Sequence, residues 1–484
     1  MRKISLLAVI CGLALAASVA AQQGALQTAA STLGVANIKT LQFTGAGRNF
    51  SIGQNYTAAE PWPAVPVKAY TAAFNYDTAA MRVELTREMG PVMPRGGGAP
   101  FFGEQRQLQA VAGNYAWNPP AAAGGMAAPQ PGAQVERMLA LWSTPQGFVK
   151  AAMANNATTK GKQVSFTVAG KYKMVGTINA QGHVEKVQTW IDHPIVGDML
   201  VETTYTGYKD FGGVTFPSRI VQTQDGFPTL DIAVSTVTAN PMFDAPVPDN
   251  VRNAPPPAAQ MVASQKMADG VYYLTGSSHH SLAIEMKDHI VIVDLPLGGA
   301  RAMAVVAKAK ELIPNKPVRY VITSHHHWDH LGGIRTAMDE GATIVTHESN
   351  KKFLERVAKT PHTLVPDRQA SSKRAVKIQT VGDTGRLTDG TRVIEMHRLQ
   401  GYEHTGDMTV VYLPKEKILA EPDAFTPPAQ AGGTLIAPAV PYAKALYDNI
   451  QRLKLDVQVI TPLHGNRTTD VAEVGRLAGV NATN

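Results

Sequence analysis

Ser324-His325-His326-His327-Trp328-Asp329-His330 is the stretch on which the reading of this chain turns. It follows an apolar run, Val318 to Thr323, that has the texture of a buried strand. Side chains two apart on an extended segment point the same way, so His325 and His327 can reach one metal ion. Asp329 and His330 fall on the turn that follows and can face a second ion. Leu331-Gly332-Gly333 then lets a helix begin close against the site. Four histidines within six residues could instead be a solvated surface tract. The strand-end position, the interleaved Asp329 and the glycine pair argue for a metal site.

The pattern His-x-His-x-Asp-His after an apolar strand resembles the defining motif of the metallo-β-lactamase superfamily, and the resemblance extends over roughly Met261 to Asn484. Its other motifs occur in the family's order. Asp294 ends an early strand and resembles the residue that supports the site without binding metal. His404, within Tyr402-Glu403-His404-Thr405-Gly406-Asp407, matches the third ligand of the first metal. Asp423 follows the strand Lys417 to Ala420 and matches the carboxylate that bridges both metals. His464, within Thr461-Pro462-Leu463-His464-Gly465-Asn466, matches the last ligand of the second. Glu403 and Pro422 stand where the family often has glycine, which alters loop shape and leaves the ligands in place.

What the resemblance implies is an αββα sandwich carrying two metal ions. His325, His327 and His404 would hold one ion, Asp329, His330 and His464 the other, with Asp423 between them. Imidazole and carboxylate ligands suit zinc, and iron or manganese can also be held. Zinc lowers the pKa of a water to about 7, so no strong protein base is needed. Asp329 takes a second, catalytic role in orienting the attacking water. His279 and His280 lie between Thr275-Gly276 and the strand Ser281 to Met286, where the family chain passes beside the metals. They are read as substrate contacts, as is Trp328 on the pocket wall.

Relatives can be separated by what the sequence lacks. Cys11 is the only cysteine and lies in an apparent leader, so β-lactamases with a cysteine ligand are excluded. The two-zinc β-lactamases without cysteine usually lack a bridging Asp, which Asp423 supplies. Glyoxalase-type thioesterases append a helical substrate domain, whereas 20 residues follow His464. Flavodiiron proteins need Glu where His327 stands. Hydrolysis of a carboxylic ester or lactone, a small-molecule substrate, is the expected activity. Phosphodiester or β-lactamase-like amide hydrolysis is the alternative. A mononuclear-iron dioxygenase of the same fold would use His325, His404 and Asp423. A non-catalytic, lipid-binding periplasmic protein is a further class.

Outward from this motif, 484 residues suit two domains. Hydrophobic residues at 44% against 17% charged residues indicate a globular chain. Part of the formal charge of +7 belongs to the leader, and no dense basic tract follows, so no nucleic-acid partner is expected. Residues 1–21 read as a signal peptide: Arg2 and Lys3, an apolar Ile4 to Ala17, then Val19-Ala20-Ala21 before Gln22. The apolar run is shorter than the roughly 20 residues that span a bilayer. The expected product is periplasmic or secreted, with no transmembrane segment after cleavage. Residues 22–34, small and polar, are expected to fray.

Residues 35–242 read as a mainly antiparallel β domain. Lys171 to Ile178 and His183 to Trp190 form a hairpin around Asn179-Ala180-Gln181-Gly182. A helical stretch, Val135 to Asn155, breaks at Pro145-Gln146-Gly147, after a Pro/Gly/Ala-rich loop at 119–132. Tyr208-Lys209-Asp210-Phe211-Gly212-Gly213-Val214-Thr215-Phe216-Pro217 resembles the half-barrel domains of bacterial periplasmic lipoprotein carriers. That resemblance implies a half-barrel-like domain able to hold an apolar ligand, with a structural or docking role the favoured reading. Residues 243–260 form a Pro-rich linker and 261–484 the metal-binding domain. The whole is an α+β two-domain chain.

Overall fold

The computed structural model describes residues 24–90, 94–122 and 124–480, so the expected leader lies outside the described residues. Strand period governs the first domain. Along Gly197–Asp210 every second residue from Gly197 to Tyr205 is buried, the signature of a sheet with one covered face. Among the described residues this sheet has 13 strands. The first, Thr40–Phe50, pairs with Ala64–Asn75 on one side and with the last, Phe227–Ala239, on the other, both antiparallel. The early and late halves of the domain therefore meet along one strand.

Two helices, Gln134–Ser143 and Pro145–Ala154, share a core with this sheet: Leu139, Leu141 and Phe148 are buried with Phe43 and Phe216. The chain bends at Thr144, one residue before the expected break, where the Thr144 hydroxyl accepts from the Gly147 N–H (3.2 Å). A cavity of about 370 Å³ remains between helix and sheet, floored by Phe43, Tyr70, Phe74 and Phe216.

Two expectations are corrected. Residues 24–32 are helical, and Ala29 and Leu33 are buried in the same core. Thr32 Oγ1 donates to the Gln181 carbonyl (3.0 Å), which ties this segment to the predicted 179–182 turn as well as to the core. The Pro-rich linker is anchored at its start: Asp249–Arg252 is a helical turn, and Ala245 and Val251 bury against Ala110 and Trp117.

Among the described residues the second domain has a 7-stranded and a 5-stranded sheet. Val291, Val293 and Ile322 of the first share a core with Val411, Leu413 and Ala420 of the second. Helix Gly299–Leu312 packs Ala302 and Val305 into a core with Val321 and Ile344 of the first sheet. Helix Val440–Leu453 packs Leu446 and Ile450 with Val410 and Leu419 of the second. Ile290–Val293 runs parallel to Val318–Ile322, and Ile418–Glu421 parallel to Val459–Pro462. Asp294, the 324–330 motif, Asp423 and His464 all follow the carboxyl ends of these strands, which brings them to one edge. Among the described residues no helix is long and apolar enough to cross a membrane.

The two domains touch through strand ends of the first. Arg356 pairs with Asp225 through two 2.7 Å contacts. Asp198 accepts from the Thr363 and Leu364 N–H groups (both 2.9 Å). Gly197 (φ 68°) has no room for a side chain, since a Cβ would lie 2.1 Å from the Pro361 carbonyl oxygen. His193 packs on Trp328 with ring centroids 4.2 Å apart and planes tilted by 50°, and burial, with His362 nearby, pushes its imidazole down to about 4. An imidazole that titrates lower when folded stabilises the fold above its unfolded pKa of about 6.5. That contribution is lost as pH falls towards 4. The melting temperature should therefore drop between pH 6.5 and 4, and His193→Phe should reduce the drop by a few degrees. Parallel melting curves for parent and variant across this window would contradict that assignment.

Candidate metal centre

Asp294 organises the site from below. It sits at φ 56°, and its Oδ1 accepts the Ser324 N–H (2.8 Å). Its Oδ2 accepts both the Ser324 hydroxyl (2.6 Å) and His330 Nδ1–H (2.8 Å). With its own proton donated to Asp294, the Ser324 oxygen accepts from His325 Nδ1 (3.0 Å). Both imidazoles are thereby held as the tautomer whose Nε2 lone pair points into the site.

Those nitrogens converge on Asp423. Its Oδ2 lies 3.1 Å from His325 Nε2 and 3.0 Å from His404 Nε2. Its Oδ1 lies 3.1 Å from His330 Nε2 and 3.0 Å from His464 Nε2. One carboxylate thus presents one oxygen to each of two histidine sets. The ligand atoms of His325, His327, His404 and Asp423 lie within 4.8 Å of one another, as do those of His279, Asp329, His330 and His464.

Asp423, His325 and His327 stand in the charge states that a cation takes. Burial, reinforced by His325 and His404, holds His327 neutral well below the usual imidazole range, and burial with His330 lowers His325. Burial opposes charge on His330, but Asp423 and Asp294 together raise it well above the usual range, so a cation bound here would displace the proton that Nε2 shares with Asp423. Burial would raise Asp423, yet His330 and His464 hold it well below the ordinary carboxylate range. His325 Nε2, His327 Nδ1 and His404 Nδ1 are buried without hydrogen-bond partners. His325 Nε2, 3.1 Å from Asp423 Oδ2, is thus a buried imidazole nitrogen without a hydrogen bond beside a carboxylate, an arrangement that fits a metal ligand.

Residues 274–421 match the family model described as the metallo-beta-lactamase superfamily. The C-terminal half belongs to the metallo-β-lactamase superfamily. Among solved structures, the chain is similar to a metallo-beta-lactamase from Pontibacter korlensis at 21% identity, covering 46% of this chain and 100% of that one, with a TM-score of 0.35. It is similar to the DIM-1 metallo-beta-lactamase at 21% identity, covering 45% and 96%, with a TM-score of 0.34. VMB-1 follows at 17% identity, covering 46% and 97%, with a TM-score of 0.35. No curated protein matches the chain.

Within the superfamily domain, the residues read as substrate contacts fall elsewhere. His279 joins the second cluster, its Nε2 3.2 Å from Asp329 Oδ2. His280 is turned away: its ring bonds the Gly465 carbonyl and its N–H donates to the Leu463 carbonyl (2.9 Å). It therefore fixes the loop carrying His464. Trp328 is packed by His193, by Trp62 (5.2 Å between ring centroids) and by Gly53, which makes it a domain contact.

Sequence reasoning passed over three features. His326 points away from the metals and donates to Asp407 Oδ1 (2.9 Å), whose Oδ2 accepts from Asn350 (2.6 Å). This buried link ties the 324–330 motif to the His404 loop, and the His-Thr-Gly-Asp spacing was the available signal. Glu421, fully buried two residues before Asp423, is raised well above the carboxyl range by burial and by Asp423. Gln54 and Asn55 reach the site from the first domain, and no motif marks them.

Because His464 faces only one oxygen of Asp423, His464→Ala should lower metal content from about two per chain towards one. Glu403, whose side chain is 63% exposed, should be replaceable by Gln with content near two. Elemental analysis decides; equal content in parent and His464→Ala would remove His464 from the ligand set.

Proposed function

We propose that this chain is a dinuclear metal hydrolase, with zinc the metal, acting on a carboxylic ester or lactone. One observation carries the reading: Asp423 faces His325 and His404 with one oxygen and His330 and His464 with the other. A mononuclear-iron dioxygenase would need His325, His404 and Asp423 and has no use for the second pair. Two bound ions would activate water at neutral pH and polarise the scissile group.

This chain's own residues supply the rest. Asp329, held below the carboxylate range by His279 and His330 against the effect of burial, stays ionised and can accept a hydrogen bond that orients the attacking water. Tyr402 donates to the Asp423 carbonyl (2.7 Å) and fixes the backbone that carries the bridging carboxylate. His325, His327 and His330 are essentially buried, which confines chemistry to the face left by the part-exposed Asp329 and His464. With no cysteine among the described residues and Asp423 between the clusters, ester or lactone cleavage fits better than β-lactam cleavage. We read the second domain as the αββα sandwich of its family and the first as half-barrel-like.

Purified protein should hydrolyse an activated carboxylic ester or a lactone, lose about a hundredfold or more in rate when stripped of metal, and recover with zinc. Cleavage confined to phosphodiester or β-lactam substrates would overturn the substrate assignment. Oxygen uptake with one iron per chain would overturn the reaction class.

The leader supports a periplasmic or secreted protein, and the cavity floored by Phe43, Tyr70, Phe74 and Phe216 supports an apolar ligand in the first domain, its size within the range of small-molecule pockets. Mass spectrometry of protein purified from the periplasm or medium addresses both. The chain should start at Gln22, and denaturation should release a co-purified apolar compound. A retained Met1 contradicts the first point, and an empty extract contradicts the second.

A further inference from the structure

The loop joining Thr40–Phe50 to Ala64–Asn75 belongs to the first domain, yet four consecutive residues of it touch the metal-ligand segments of the second. Gly53 (φ 74°) lies against Trp328 so closely that a Cβ would fall 2.6 Å from the ring. Gln54 Nε2 donates to Asp329 Oδ1 (2.9 Å). The Asn55 carbonyl accepts from His327 Nε2 (2.8 Å). The Tyr56 carbonyl accepts from the Gly406 N–H (2.9 Å) and the Thr405 hydroxyl (3.2 Å), beside His404.

The loop is built to hold this position. Asn55 is buried, and its side-chain amide donates to the Glu60 carbonyl (2.9 Å). The Gly97 N–H donates to the Gln54 carbonyl and the Gly96 N–H to the Glu403 carbonyl (both 2.8 Å). A second segment of the first domain thus braces the loop and the His404 loop together.

The chemistry follows from one proton. A backbone carbonyl can only accept, so His327 must carry its proton on Nε2 and present the lone pair of Nδ1, the atom left buried and unpartnered. His325 and His330 are fixed in the same way by groups of their own domain; His327 alone is fixed from outside it. Gln54 restrains the carboxylate of Asp329 in the second cluster. We propose that residues 53–56 of the first domain position His327 and Asp329 and so set how tightly both metals are held, an inference that rests on the dinuclear reading above.

The test uses the full chain, stripped of metal and titrated with cobalt(II) against a competing chelator, with the ligand-field spectrum recorded at each addition. Gln54→Met keeps the volume and removes the donor. It should weaken the ion of the Asp329, His330 and His464 cluster about 10–100-fold and leave the other ion and its spectrum unchanged. Gly53→Val should push the loop off Trp328, withdraw the Asn55 carbonyl and weaken both ions. Loss of one ion alone is an outcome that general destabilisation does not produce. Metal-free melting curves check that each variant folds, and if Gly53→Val does not, Gln54→Met decides by itself. Variants that bind two ions with the parent's affinities and spectra would sink the proposal and leave the dinuclear reading standing. A parent that binds fewer than two ions would sink the dinuclear reading, and with it this inference, before any variant is made.

Discussion

Four imidazole nitrogens within 3.1 Å of one buried carboxylate constrain everything else in this molecule. A carboxylate taken out of water needs partners on both oxygens, and those of Asp423 come from three separate stretches of chain. His325 and His330 follow a strand of the 7-stranded sheet, whereas His404 and His464 follow strands of the 5-stranded sheet or the loop before one. The partners can meet only if the two sheets pack face to face with their strand ends aligned. The apolar core between the sheets is therefore the condition for the site's geometry.

The same logic extends outward by one layer of hydrogen bonds. Asp294 sets two of the imidazoles, Asp407 ties the histidine motif to the His404 loop, and His280 ties the strand before it to the His464 loop. Each of these links joins segments distant in sequence, so the site resists local loosening. The contact surface between the domains continues this scheme. Trp328 stands inside the motif and also forms the seat for Trp62, His193 and Gly53 of the first domain.

Much of this was legible in the sequence, for definable reasons. The histidine motif carries its geometry in its spacing, and the later ligands each follow a short apolar run with strand character. The 179–182 turn and the helix pair at 134–154 announced themselves through Gly182 and Pro145. Other features left no trace. The strand Gly103–Ala112 opens Gly-Glu-Gln-Arg-Gln, which shows no apolar alternation because its outer positions face water. The helix at 24–32 is tied to a turn some 149 residues away, a relation that composition does not express. His280 and Trp328 were read as substrate contacts, but the direction of a side chain is set by partners the local sequence does not name.

The contact between Asn55 and His327 has a consequence for how such a protein can vary. The acceptor is main-chain, so the side chain at position 55 acts on His327 only through the loop shape that its bond to the Glu60 carbonyl maintains. Loop length is another matter. One residue inserted or removed between 51 and 62 would carry the carbonyl out of register by about 3.3–3.6 Å, farther than the hydrogen bond can stretch. The dependence of one domain on the other is thus inherited as a count of residues as well as in the identities of Gly53 and Gln54.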